Sequence, residues 1–71
     1  MANVFVEPVP KGSDAPITGY VVEYAGGGSL DGKTHDTQEE AIKAARQAGH
    51  QPLVARVRVT DKGKPDQWRS A

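Results

Sequence analysis

Apolar and polar positions along the chain change period three times, and each change marks an element. Val4-Phe5-Val6-Glu7-Pro8-Val9 is β-branched and aromatic and reads as a short strand. Pro8 cannot donate to a ladder, so it belongs at the strand end or on an edge. Pro10 through Pro16 is dense in turn formers. Ile17 through Tyr24 reads as a second strand, antiparallel to the first. Residues 25–34 contain Gly26, Gly27, Gly28 and Gly32 and read as a flexible glycine-rich loop. Between 36 and 49 the period becomes helical. Ala41, Ile42, Ala44, Ala45 and Ala48 share one arc, with Glu39, Glu40, Lys43, Arg46 and Gln47 opposite. Asp36 with Glu39, or Thr37 with Glu40, supplies the N-terminal cap. Gly49 suits the left-handed turn that ends a helix, and Pro52 blocks continuation. Leu53 through Thr60 then alternates from Ala55 onward, which predicts a strand with Ala55, Val57 and Val59 inward. Asp61-Lys62-Gly63-Lys64 reads as a hairpin-like turn, and Gln67-Trp68-Arg69 as a short fourth strand.

These elements predict an α+β fold of order β-β-α-β(β). One amphipathic helix packs on one face of a three- or four-stranded, mostly antiparallel sheet. A right-handed crossover from strand two to strand three leaves room for strand one between them, so the expected sheet order is 2-1-3-(4). Residues 1–71 form a single domain.

The stretch Thr34-His35-Asp36-Thr37-Gln38-Glu39-Glu40-Ala41-Ile42-Lys43-Ala44-Ala45-Arg46 resembles the helix signature of a small bacterial family of uncharacterised domains, D-T-x-x-E-A-I-x-x-A-R. Asp61-Lys62-Gly63 is similar to the D-x-G turn of that family. The likeness covers roughly residues 17–64, with Tyr20 where members often carry tryptophan. The resemblance implies two strands, the helix and a third strand, and no function.

Composition narrows the field by exclusion. With no cysteine, the chain has no disulfide, thiolate metal site or cysteine nucleophile. His35 and His50 are the only histidines, too few for a structural zinc site, so no metal and no cofactor is expected. A domain this short buries only about 60% of its unfolded surface. Self-association is then the expected extra support, as a homodimer or with a protein partner. No apolar run reaches membrane-spanning length and the N-terminus has no signal-peptide pattern, so a cytoplasmic protein without a membrane partner is expected. Nine basic and nine acidic residues cancel overall. Residues 50–71 nevertheless hold five basic and two acidic side chains.

Candidate chemistry is sparse, and no catalytic site is expected. Gly27 through Thr34 fits the G-x-x-x-x-G-K-[ST] phosphate loop. However, the helix cap falls after the lysine and threonine instead of before them, and Asp31 puts a negative charge beside the would-be phosphates. His35 next to Asp36 suggests acid–base work but lacks a nucleophile. His50 follows the helix end, where its charge suits the dipole.

The remaining signal is a surface. If Val4 and Val6 face the helix, then Phe5, Val9, Ile17, Val21 and Val54 face away. Arg56, Arg58 and Thr60 are expected on that same far face. Strands apolar on both sides are usually covered on both. Phe5, Val21, Arg56, Arg58 and Trp68 are therefore the candidate interaction surface of a non-catalytic binding or scaffolding module that self-associates through its sheet. The alternative is weak nucleic-acid binding through the basic C-terminal strand and hairpin.

Overall fold

The computed structural model describes residues 3–10, 15–56 and 63–71. The strand β1 (Asn3–Val9) pairs antiparallel with β2 (Gly19–Tyr24). The helix α1 (Gln38–Gln47) leads to β3 (Gln51–Ala55), and β4 (Trp68–Ser70) follows a short 3-10 turn at Pro65–Gln67. The sheet order is β2-β1-β3-β4, as the sequence predicts, and the fold is α+β. Of the expected third strand, residues 57–60 lie outside the described residues, as do Asp61 and Lys62 of the hairpin-like turn.

Strand directions depart from a simple crossover. β1 and β3 run parallel, so β2 and β3 run opposite to each other. The cause lies in the glycine-rich segment. It turns back along the outer edge of β2, bridging Glu23 to Ser29 and Tyr20 to His35, both antiparallel. That return adds one pass before the helix. The chain therefore enters β3 in the direction of β1.

This segment also answers for the edge of β2. Tyr20 and His35 exchange both main-chain bonds at 2.8 and 2.7 Å. The Leu30 N–H reaches the Val22 carbonyl at 2.8 Å, and the Tyr24 N–H reaches the Gly28 carbonyl at 2.8 Å. Even-numbered residues of β2 thus direct their main-chain groups away from β1. Pro8 stands opposite Tyr20 in the ladder, so its missing N–H would point away from β2. On that side the pairing with β3 already ends at Val6 and Val54, and the proline costs no ladder bond.

The helix forms where its caps dictate. Thr37 is the N-cap, and its Oγ1 accepts the Glu40 N–H at 3.1 Å. Of the two alternative starts, the later one is used. At the other end the Gly49 N–H donates to Arg46 and the His50 N–H to Ala45, both at 3.0 Å. This paired closure requires the left-handed φ of +84° that Gly49 adopts.

Beneath the helix, Val4, Val6, Val22 and Val54 are fully buried against Ala41 and Ala45. Tyr20, Leu30, Ile42 and Ala71 pack around that cluster. Each buried valine contributes about 2 kcal/mol by removal from water.

The phase of β3 differs from the predicted one. Pro52 and Val54 are buried, with Val54 in the cluster under the helix, while Ala55 has the opposite parity. Pro52-Leu53-Val54-Ala55 is apolar throughout and carries no period of two. Only the arginines beyond it alternate, and they set the phase wrongly.

Gly19 marks the closest approach between β2 and the returning segment. A Cβ there would lie 2.6 Å from Thr34 Cγ2 and 2.8 Å from the His35 carbonyl oxygen. Gly19→Ala is expected to destabilise by about 1–3 kcal/mol in urea unfolding. Gly26→Ala, where a Cβ meets nothing within 4 Å, serves as the near-neutral control. Thr37→Ala is expected to cost about 1 kcal/mol in the same assay, through loss of the cap.

Candidate functional site

The far face of the sheet can be read from the register. One row runs Glu23, Phe5, Leu53, Ser70 across the four strands. In the next, Val21 stands opposite Glu7 and Trp68 opposite Ala55. Phe5 and Trp68 meet diagonally across β3, with ring centroids 4.7 Å apart and planes at 71°. Edge-to-face contact of this kind adds about 0.5–1.5 kcal/mol to the burial itself. Each ring keeps only 7% of its surface exposed, and Glu7 keeps 4%. The centre of the far face is therefore sheltered within a single chain. Val21, Leu53 and Ala55 are half-buried around it. Ile17, just before β2, is 47% exposed.

The five residues singled out from sequence separate accordingly. Phe5, Val21 and Trp68 share the far face. Arg58 lies outside the described residues. Val54 is buried under the helix, so its expected placement on the far side is corrected. Arg56 falls just past the end of β3, where the alternation stops. Arg56 is exposed, and its Nη1 donates to the Asp66 carbonyl at 3.4 Å. Arg69 pairs with Val54 and shares its parity, again opposite to Trp68. Arg69 thus falls on the face opposite to Phe5 and Trp68, whose rings meet edge to face.

A second arrangement escaped sequence reasoning. His35 is held by Asp31, not by its neighbour Asp36: Nε2 lies 2.9 Å from Asp31 Oδ2. The partners stand four apart in a non-helical segment, a spacing that carries no signal. Asp31 Oδ1 also accepts the Lys33 N–H at 3.0 Å, and Ser29 Oγ accepts the Gly32 N–H at 2.8 Å. Burial alone would raise the Asp31 carboxyl. The Lys33 N–H, the His35 ring and the charges of His35 and Lys33 outweigh it, so the pKa lies below the ordinary carboxylate value. The pair borders an open cleft of about 560 Å³ against α1, lined also by Lys33, Glu40, Lys43 and Gln47.

These same bonds bear on the phosphate-loop look-alike. A phosphate loop turns successive N–H groups toward one anion. Here the N–H groups of Gly27, Leu30, Gly32, Lys33 and His35 are each engaged by protein acceptors. Lys33 precedes the first residue of α1 instead of opening it. Among the described residues, no helix is long and apolar enough to cross a membrane.

Two measurements follow. Trp68 is the only tryptophan, so its fluorescence reports the far face directly. Emission is expected to be blue-shifted and poorly quenched by iodide, with Phe5→Ala shifting it red and costing about 3–5 kcal/mol. The depressed Asp31 pKa contributes stability that is present above the unfolded value and lost as pH falls through the folded one. Asp31→Asn is therefore expected to lower stability near neutral pH and to leave it unchanged well below the folded-state pKa, as read by denaturant titration at both.

Residues 7–70 match the family DUF2188, described as an uncharacterized protein conserved in bacteria. No curated protein and no solved structure matches the chain. The matched span is wider than the stretch that carried the resemblance, and takes in β2, α1, β3, β4 and the Asp31–His35 pair: the chain belongs to the DUF2188 family.

Proposed function

We propose that this chain is a small non-catalytic interaction module that self-associates through the rim of its far sheet face. The observation that carries the reading is the apolar set Val21, Leu53 and Ala55, half-buried around the Phe5–Trp68 pair. The helix covers the other face, so it offers nothing to this one. With the aromatic centre closed within the chain, the partly exposed aliphatic groups around it are the apolar surface a second copy would bury.

The association joins chains that are already folded. The accessible surface is 4297 Å², and size scaling gives about 4,300 Å² for a compact monomer of 7.6 kDa. The chain buries as much as a lone domain of its mass does. Dimerisation is then reversible and concentration-dependent, not a condition of folding. The phosphate-loop look-alike supports no competing nucleotide reading, because the N–H groups of Gly27, Leu30, Gly32 and Lys33 already donate within the chain.

Sedimentation velocity over a concentration series tests the reading. The wild type is expected to move from one chain mass toward two as concentration rises into the high micromolar range. Val21→Glu with Leu53→Glu is expected to hold the chain at one mass, with its circular dichroism spectrum unchanged. A wild type that stays at one chain mass throughout would reject self-association.

A further inference from the structure

We draw no further inference here: the strongest candidate, the open cleft between residues 31–35 and α1, is lined by exposed side chains of both charges, Asp31 and His35 already satisfy each other, and nothing in the structure shows what would occupy it.

Discussion

The close approach of an alanine-faced helix to a valine-lined sheet is the contact on which the other features depend. Ala41 and Ala45 have no accessible surface, and neither do Val4, Val6, Val22 and Val54 beneath them. Two small side chains let the helix sit low, and four stiff β-branched ones present an even floor. The layer holds without a large side chain at its centre. Because each alanine buries little area, the contact draws its strength from density instead of size. That leaves little tolerance for misplacement, which is why both helix ends are fixed by side-chain and main-chain caps.

The remaining architecture follows from serving that layer. Residues 25–35 form the outer margin of β2, supply Leu30 to the core and deliver the chain to the helix from the correct end of the sheet. Gly19 permits this by leaving room for Thr34 and His35. The Asp31–His35 pair and the two side-chain-closed turns at Ser29 and Asp31 hold the same stretch. In a chain without cysteine, a glycine-rich segment satisfied mainly by main-chain bonds does the work of an edge strand. On the opposite side of the sheet, one aromatic pair closes the centre and leaves the aliphatic rim as the remaining apolar surface.

Much of this was legible in the residues. Thr37, Glu40 and Gly49 mark the helix ends by chemistry that acts locally, and the sheet order was readable from the succession of elements. The direction of β3 was not, because the extra pass along β2 is made by glycine-rich residues with no hydrophobic period. The phase of β3 was hidden by four consecutive apolar residues, and that misplaced Val54. Phe5 and Trp68 were both visible as candidates for the far face. Their contact was not, since it joins the first strand to the last and makes the pair a second small core. His35 drew notice for its neighbour Asp36, whereas its partner is set by a turn whose geometry no spacing rule encodes.

The low-lying helix is tested most directly by enlarging its buried face. Equilibrium unfolding of Ala45→Leu measures whether space exists between helix and sheet. With Ala45 fully enclosed against the valines, the substitution is expected to destabilise by about 1–3 kcal/mol despite the added apolar area. A neutral or stabilising result would mean that the helix stands off the sheet, and the close-packed layer described above would be contradicted.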